Sequence, residues 1–359
     1  MEERENSVNT EWAKCPSCGS NLRFDPDSQT LICDHCGTKQ KIESKGVAEE
    51  LDILSGFSSD KMWKNEDASA FRCVNCGAEV VLSKGETAKV CPFCGTAHVE
   101  KIEELSGVKP NAVLPFSLNA ENAEEKSKAW AKKRLFAPRR FKKSLKAENI
   151  HGVYTPCFTF DSHTYSYYVG RLGKTHVVTT GSGKNKQTRT YVEWFTVSGD
   201  YSDFFDDVLV TAGDKFDQKK LDKVSPFDTN GGSVYDGKYL LGYMAYHYDK
   251  DIQDCWSVAK SKIDAVIKKS ILSKYVYDVV DYLNVSTKHE RVTYKYVMLP
   301  VYVGNFTYRK KLFNFYVNGT TGKVTGKTPV SPWRVALAVL LGIAVAVGVF
   351  FLVKTYLLS

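Results

Sequence analysis

The sequence predicts an α+β protein that begins with two small cysteine-rich modules, continues into a largely antiparallel β-rich domain with one long helix, and ends in a single transmembrane helix. Three observations support this prediction: cysteine pairs repeated before residue 95, alternating runs rich in Tyr, Phe, Val and Thr between residues 150 and 328, and an uncharged apolar run near the end. With 43% hydrophobic and 25% charged residues, the 359-residue chain has the composition of a globular protein of two or three domains.

The cysteine pattern is a repeat. Eight of the ten cysteines form four CxxC pairs, each followed at once by glycine; fourteen residues separate the two pairs of each half, and the halves repeat at an offset of 58 residues. Two thiolates on such a turn can bind one metal ion, and two turns complete a tetrahedral Cys₄ site, typical of a structural zinc ribbon. The expected Zn²⁺ ligands are Cys15, Cys18, Cys33 and Cys36 in the first ribbon, and Cys73, Cys76, Cys91 and Cys94 in the second.

Between its cysteine pairs, each ribbon is expected to form a hairpin. In the first, residues 22–24 lead into a turn at 25–28 and return through 31–32; in the second, residues 80–82 turn at 83–86 and return to Val90. A module of about thirty residues cannot build a sufficient core, so each ribbon is predicted to be a self-sufficient unit folded by its own metal ion.

Other uses of these cysteines are disfavoured. The opening residues show no signal peptide, so cytosolic, reduced thiols are expected rather than disulfides, and redox dithiols normally occur as one CxxC pair. An iron–sulfur cluster is chemically possible, although two matched hairpins favour zinc. His35 and His98 lie close by but are expected on the surface because cysteine fills every ligand position, and Cys157 and Cys255 are expected to be ordinary buried residues.

Near the C-terminal end, residues 335–353 form nineteen consecutive residues without a charge. A helix of that length roughly matches a 30 Å hydrocarbon core, and this run has no polar stripe of the kind seen on a buried helix in a soluble domain. Basic residues are more numerous in the thirty residues before the run than after it, which predicts a cytoplasmic body tail-anchored in the cell membrane.

Most of the chain's positive charge lies in residues 119–148. Asn119 is a plausible helix N-cap, and from Glu121 to Glu148 ten Lys or Arg accompany four Glu, a local charge of +6 out of +8. This segment could contact an anionic membrane surface or nucleic acid, or could be a solvated helix face whose aromatic residues Trp130, Phe136 and Phe141 pack inward.

The β-rich domain contains one clear helical pattern. We expect hairpin turns at 181–188 and 317–326. Between them, apolar residues recur at intervals of three or four and predict a helix with Ile252, Trp256, Ala259, Ile263, Val266, Ile267 and Leu272 on its buried face.

These observations divide the chain into ten segments. They are a flexible tail (1–12), the first zinc ribbon (13–42), a linker (43–70), the second zinc ribbon (71–103), a second linker (104–118), the basic helical segment (119–148), the β-rich domain (149–328), a juxtamembrane linker (329–334), the transmembrane helix (335–353) and a short tail (354–359).

No catalytic motif is present in the sequence. It contains no P-loop, HExxH or GxSxG motif, so we expect neither an enzyme nor a small-molecule substrate. The remaining histidines are scattered without metal-ligand spacing: His151, His163, His176, His247 and His289. Four aspartates near the end of a predicted strand could suggest a cation site, although exposed turn carboxylates are commoner: Asp200, Asp203, Asp206 and Asp207.

Together with the two ribbons, the segments "IHGVYTPCFTFDSHTYSYY" (150–168) and "FYVNGTTGKVTGKTPVSPW" (315–333) resemble a bacterial family of zinc-ribbon proteins. Its members are often labelled as having a transcription-factor-IIB-type zinc ribbon, or as primosomal helicase-like or phage replication proteins. The helicase label does not fit, because the sequence lacks an ATP-binding motif. The resemblance also implies an association of some anchored members with an SPFH-domain partner and with the phage-shock protein that responds to membrane stress.

The sequence thus predicts a tail-anchored zinc-ribbon adaptor with two structural Zn²⁺ ions. It would recruit or hold cytoplasmic partner proteins at the inner face of the bacterial cell membrane, in an envelope-stress pathway, and would contact lipid through its C-terminal helix. The alternative is a nucleic-acid-binding zinc-ribbon protein linked to replication or transcription, which the basic segment would serve.

Overall fold

The computed structural model describes residues 14–43, 45–57, 68–83, 90–97, 99–102, 108, 110–181 and 186–358. Its two sheets differ greatly in size. In the described part of the chain, the small sheet has three antiparallel strands in the order β1-β2-β3, and the large sheet has thirteen strands that are mostly antiparallel. The predicted α+β class is confirmed.

The small sheet is the predicted first ribbon hairpin. Leu22, Phe24 and Leu31 are buried on one side of it, and the turn is closed by hydrogen bonds from the backbone N–H and hydroxyl of Ser28 to the carboxylate of Asp25. The prediction of a turn at 25–28 is therefore confirmed. Its strands are β1 (Leu22–Asp25), β2 (Thr30–Cys33) and β3 (Lys39–Lys41).

The large sheet is built on two very long strands, β9 (Ile150–Thr180) and β14 (Val279–Tyr308), which pair antiparallel along most of their length. Its other strands are β4 (Leu51–Asp52), β5 (Ala68–Cys73), β6 (Glu79–Ser83), β7 (Val99–Ile102), β8 (Ala112–Val113), β10 (Gln187–Phe205), β11 (Val210–Thr211), β12 (Ser233–Val234), β13 (Met244–Tyr246), β15 (Lys311–Asn318) and β16 (Val324–Gly326). The main path runs β12-β8-β14-β9-β13-β6-β5-β7, and the pairs β13–β9 and β14–β8 are parallel.

The described residues include six α-helices: α1 (Ile53–Phe57), α2 (Ala120–Lys132), α3 (Arg139–Ser144), α4 (Gln218–Val224), α5 (Ile252–Leu272) and α6 (Pro332–Leu358). The expected N-cap is present, since Asn119 accepts a hydrogen bond from the backbone N–H of Asn122 at 2.8 Å. Trp130 and Phe141 pack inward around Phe315, as expected for the inner side of the basic segment. Phe136 departs from that expectation, because it is exposed.

The central part of the large sheet, with the helices packed on it, forms the body of the protein. Residues 295–303 of β14 are buried on both faces, which requires layers on each side of the sheet. The two segments predicted as linkers take part in this body: β4 pairs with β14 antiparallel, and β8 pairs with β14 in parallel. Their described residues are therefore structural components of the sheet.

Three strands extend beyond the body as a sheet that we call the arm. It consists of residues 162–180 of β9, the strand β10 and Val279–Glu290 of β14. The 19 residues of β10, at about 3.3 Å per residue, span roughly 60 Å. Helix α5 covers one face of the arm through Ile263, Ile267 and Ile271. The predicted helix is confirmed, but its predicted buried position Val266 is 47% exposed, and Ile271 lies in the core instead.

Both predicted turns of the β-rich domain join paired strands. Residues 182–185 of the first lie outside the described residues, and β9 and β10 pair from Thr180 and Gln187 onward. In the second, the side chain of Asn318 accepts hydrogen bonds from the backbone N–H groups of Thr320 and Thr321. The same side chain donates to the carbonyls of Val224 and Pro226, so this turn is fixed to the segment after α4.

Helix α6 leaves the body at Pro332 and is apolar on all sides. Among the described residues it is the one helix long and apolar enough to cross a membrane, and no part of its apolar window is buried by the protein. It is longer than the predicted run 335–353, because Trp333 and Arg334 already belong to its first turn.

Candidate metal centres

The four CxxC pairs adopt one local structure. In each pair the glycine that follows donates its backbone N–H to the carbonyl of the first cysteine at 2.8–2.9 Å. These glycines have φ between +71° and +75°, a conformation that L side chains adopt at a cost. The N–H of the first cysteine is satisfied by the carbonyl five residues later, so each turn is closed by two backbone hydrogen bonds. The glycines are Gly19, Gly37, Gly77 and Gly95.

These turns bring all eight predicted ligands into two clusters. In the first, the sulfurs of Cys15 and Cys36 and those of Cys18 and Cys33 are each 3.5 Å apart. In the second, the sulfurs of Cys73 and Cys94 are 3.5 Å apart and those of Cys76 and Cys91 are 3.7 Å apart. A disulfide requires about 2.05 Å, so none of these contacts is a covalent bond. Within each cluster the ligand atoms all lie within 4.8 Å of one another, so each cluster can hold a metal ion.

The two clusters differ in exposure. The first cysteine of every pair is buried, whereas the second is exposed in the first ribbon and half-buried in the second. In the first ribbon, hydrogen bonding from Ser20 lowers the pKa of Cys18 to about 5. In the second ribbon, burial raises the pKa of Cys76 to about 11. The exposed Cys18 and Cys36 leave the first cluster open to solvent along one edge, whereas the half-buried Cys76 and Cys94 make the second less accessible.

The second ribbon is built into the large sheet. Its strand β6 pairs with β13 of the body, with Val80 opposite Tyr246. Two asparagines of the body also hold the turn at Cys91: Asn305 donates to the carbonyl of Pro92 at 3.3 Å, and Asn314 donates to the carbonyl of Phe93 at 2.9 Å. The expectation of a self-sufficient second module is therefore wrong, because its strands and its ligand turn share hydrogen bonds with the body.

The predicted hairpin of the second ribbon is found only in part. Strand β6 extends over Glu79–Ser83 as expected, residues 84–89 lie outside the described residues, and Val90 is not in a strand. Within the ribbon, β6 pairs instead with β5, which ends at Cys73, and β5 also pairs with β7, which follows the last cysteine pair.

The first ribbon packs against the body and forms hydrogen bonds with it: the ring of Phe24 contacts those of Tyr239 and Tyr243. The backbone N–H of Phe24 donates to the carbonyl of Leu241 at 2.9 Å, and the side-chain amide of Gln29 donates to the carbonyl of Phe116 at 2.8 Å. Asn119, the N-cap of α2, donates to the carboxylate of Asp27. These contacts position the ribbon without merging its strands with the large sheet.

The other predicted residues lie away from both clusters. His35 is exposed, and His98 lies outside the described residues. Cys157 and Cys255 are fully buried, as expected, and burial raises the pKa of Cys255 to about 12. Among the residues that the structure describes, no histidine joins a group of three potential metal ligands.

The four aspartates do not form one site. Asp200 and Asp203 belong to strand β10 of the arm, and Asp207 pairs with the buried Lys295 at 2.9 Å. Only Asp206 joins a carboxylate group that could hold a cation, with Glu50 and Asp161. Sequence reasoning missed the last two residues, and no spacing could have revealed them because they come from distant segments.

Comparison with known proteins adds one relative. No family model matches the chain, and no solved structure matches it. The protein YdjG of Bacillus subtilis (strain 168), which is described as uncharacterized, is 32% identical over 327 residues. The match covers 90% of this chain and 91% of the relative, so it extends over almost the whole of both proteins. The two four-cysteine clusters are compatible with the zinc-ribbon resemblance of the sequence. Because the similarity to YdjG extends over almost the whole chain, the chain belongs to the family of this Bacillus subtilis protein.

Proposed function

We propose that this protein is a membrane-anchored adaptor without catalytic activity, which holds cytoplasmic partner proteins at the inner face of the bacterial cell membrane. The observation that carries the proposal is a face of the arm that no described helix or strand covers and that bears five exposed aromatic side chains. The metal clusters and the C-terminal helix agree with this role, because the clusters would stabilise the fold and the helix would anchor it in the membrane.

The chemistry of the clusters favours Zn²⁺. Four thiolates arranged tetrahedrally at about 2.3 Å from one ion have sulfurs about 3.8 Å apart, and the closest sulfur pairs here are 3.5–3.7 Å apart. Four cysteines leave no position for a metal-bound water, which is the arrangement of structural zinc and not of catalytic zinc. We therefore assign two structural Zn²⁺ ions to the protein.

The charge distribution favours a cytoplasmic body. Helix α6 can cross a bilayer, and the basic residues near it lie mainly on its N-terminal side. Those before the apolar run 335–353 are Arg309, Lys310, Lys311, Lys323, Lys327 and Arg334, whereas Lys354 alone follows that run. By the positive-inside rule, the ribbons, the body and the arm would then lie in the cytoplasm.

The surface that we assign to partner binding is the outer face of the arm, opposite α5. Residues paired across two strands point to the same face of a sheet, and successive residues along a strand point to opposite faces. Tyr168 and Leu172 of β9 are buried under α5, so their partners on β10 also face α5. The residues next to them along each strand face outward. Exposed aromatic residues are typical of the energetically important positions of protein interfaces. The outer face carries Tyr165, Tyr167, Trp194, Phe204 and Tyr282, all exposed.

The edge of the arm offers a second means of binding. Strand β10 pairs with β9 alone among the described strands, so its other edge presents unpaired backbone groups along its length. Such an edge can accept a strand from another protein. The resemblance to anchored zinc-ribbon proteins suggests SPFH-domain and phage-shock proteins as partners, in an envelope-stress pathway.

Proximity labelling in living cells, from the full-length anchored protein, tests the proposal. We expect a defined set of cytoplasmic proteins whose labelling falls at least fivefold when Tyr165→Ser and Tyr167→Ser are combined. Tyr191→Ser is the matched control, because Tyr191 is equally exposed but points by strand alternation to the other side of the sheet. Equal labelling in all three proteins would contradict an adaptor role for this face.

Nucleic-acid binding is the second candidate, favoured by the basic residues 119–148. It predicts binding of DNA or RNA that weakens steeply between roughly 50 and 200 mM salt. A filter-binding titration of the full-length protein over that salt range distinguishes the two candidates, because the adaptor proposal requires no nucleic acid.

A further inference from the structure

The end of α2, the loop after it and α3 form a strongly basic corner, which we define as residues 132–146. It contains eight Lys or Arg and no Asp or Glu. Two of these cations have other contacts: Arg134 lies over the ring of Trp130, and Lys146 pairs with Glu148. Among the described residues, none of the other six is in an ion pair. They are Lys132, Lys133, Arg139, Arg140, Lys142 and Lys143.

The basic corner is fixed to the start of the apolar helix α6. Arg334, in the first turn of α6, donates from one guanidinium nitrogen to the carbonyls of Leu135 at 3.0 Å and Ala137 at 2.9 Å. The backbone N–H of Ser331 donates to the carbonyl of Phe136 at 2.8 Å. Three hydrogen bonds thus hold the loop of the corner beside the point where α6 leaves the body.

The same loop exposes apolar side chains. Leu135 is 74% exposed and Phe136 is 42% exposed, and Trp333 beside them is 79% exposed. Large apolar side chains are unfavourable in water, whereas aromatic residues are favourable at the boundary between lipid headgroups and hydrocarbon. The corner therefore combines apolar residues at its tip with cations around them, at the level where α6 would enter a bilayer.

We propose that the basic corner is a second membrane contact, which binds the headgroups of anionic phospholipids while Leu135 and Phe136 enter the interface. The inference rests on insertion of α6, and it extends the proposed function by fixing how the body stands on the membrane. Insertion of α6 alone leaves the body and the helix free to tilt together relative to the membrane. A corner bound to lipid removes that freedom and holds the arm in one orientation toward cytoplasmic partners.

A nucleic acid fits this corner less well. Its phosphates would satisfy the cations, but Leu135 and Phe136 would remain in water. The bilayer is also the surface next to the first turn of α6, so anionic lipid reaches these cations without any further association step.

The test uses the full-length protein in nanodiscs of phosphatidylcholine, with or without an equal part of phosphatidylglycerol. A photoreactive diazirine amino acid replaces Phe136, and in the control protein it replaces Val276, which is 79% exposed in the segment between α5 and β14. Mass spectrometry measures the lipid adducts after illumination. We expect adducts at position 136 and none above background at position 276, with at least a threefold increase when phosphatidylglycerol is present.

Charge reversal then separates electrostatic binding from simple proximity. The combination of Arg139→Glu and Arg140→Glu should remove the increase caused by phosphatidylglycerol. Lys268→Glu with Lys269→Glu is the matched control, because these lysines are an adjacent exposed pair on α5, and this variant should keep the increase.

Three results would overturn the proposal. One is an adduct level at position 136 no higher than at 276, and another is an equal level with and without phosphatidylglycerol. The third is disappearance of the lipid adducts when duplex DNA is added at physiological salt, which would make the corner a nucleic-acid site. Resistance to carbonate extraction is measured separately, on membranes from cells that produce the same proteins. Extraction of the protein would contradict the membrane anchor as well, whereas anchored protein that gives no lipid adducts would contradict only the proposal for the basic corner.

Discussion

The two four-cysteine modules have the same ligand turns but different positions in the fold. In both, glycines with positive φ close the turns and the sulfurs meet within 4.8 Å. The first module keeps its own three-stranded sheet, whereas the second shares strand β6 with the body through β13. A metal-binding turn is thus specified locally, while the strands around it decide whether the metal ion stabilises a small module or the whole sheet.

The largest expected difference between the modules follows loss of one ligand. Cys94→Ser and Cys36→Ser remove equivalent cysteines of the second and first clusters. Metal binding contributes on the order of 10 kcal/mol to the folding of such sites, so either variant should lose its own ion. In Cys94→Ser we expect unfolding of the body to shift by several kcal/mol, because the turn at Cys91 binds Asn305 and Asn314.

Near-ultraviolet circular dichroism of the detergent-solubilised protein measures this difference, because the buried aromatic residues belong mainly to the body. Metal content, measured on the same samples, should fall from two ions to one in both variants. In Cys36→Ser the melting temperature of the body should stay within a few degrees of the wild-type value. An equal decrease in both variants would show that the two modules are equivalent after all.

The sequence indicates that the first module has a sheet of its own and that the second is covered on both sides. In the first module the strand "LRFD" alternates apolar and polar residues, as expected for a sheet with one buried face. In the second, "EVVLS" places three apolar residues in a row, and Val80, Val81 and Leu82 are all buried. A continuous apolar run is typical of a strand covered on both sides, which an isolated ribbon cannot provide.

Other features could not be predicted from local patterns. The ligand turns, the helix α5 and the apolar helix α6 follow from spacing and periodicity, and the structure contains all three. By contrast, the contacts of Asn305 and Asn314 with the turn at Cys91 join residues more than two hundred positions apart. Such contacts depend on the chain path of the whole sheet, which periodicity does not specify.

A smaller difference in stability between the two modules is expected when alanine replaces the glycine at equivalent positions of their second ligand turns. Gly95 and Gly37 have φ of +72° and +74°, so either substitution costs roughly 1–2 kcal/mol of backbone strain. At Gly37 a new Cβ would meet open space, whereas at Gly95 it would lie 2.8 Å from the side-chain oxygen of Asn305. Gly95→Ala should therefore lower the stability of the body further, by about 1 kcal/mol from the disturbed hydrogen bond to Pro92.

Thermal unfolding of the body distinguishes these two substitutions. Gly37→Ala should weaken metal retention by the first module and leave the body unchanged. The control compares Asn305→Ala alone with the double variant Gly95→Ala, Asn305→Ala. Once the clashing side chain is absent, adding alanine at position 95 should cost no more than at position 37. If the full extra penalty of Gly95→Ala appears between these two variants, the clash is not its cause.

Exposure of the ligands predicts the order of metal loss. Cys18 and Cys36 are exposed, whereas Cys76 and Cys94 are half-buried against the body. A chromophoric chelator should therefore remove two ions in two phases, with the first module at least tenfold faster, which corresponds to about 1.4 kcal/mol in activation free energy. Cys36→Ser should abolish the fast phase and Cys94→Ser the slow phase. The assignment is contradicted if the fast phase survives in Cys36→Ser.

The smallest expected difference concerns the side-chain amides that join each module to the body. Asn314 donates to the carbonyl of Phe93 in the second module, and Gln29 of the first donates to the carbonyl of Phe116. Alanine at position 314 should destabilise the body by about 1 kcal/mol, because a partly buried carbonyl next to the ligand Cys94 loses its partner. Alanine at position 29 should leave the stability of the body unchanged.

The effect of Gln29→Ala should appear instead in the motion of the first module. Its small sheet has its own backbone pairing, so loss of one contact to the body should increase its independent opening. Hydrogen exchange in β1 and β2 should become faster in Gln29→Ala, while exchange in β5 and β6 stays as in the wild type. In Asn314→Ala the faster exchange should extend from β6 into β13, because those strands are paired. Faster exchange confined to the second module would mean that it opens independently of the sheet it belongs to.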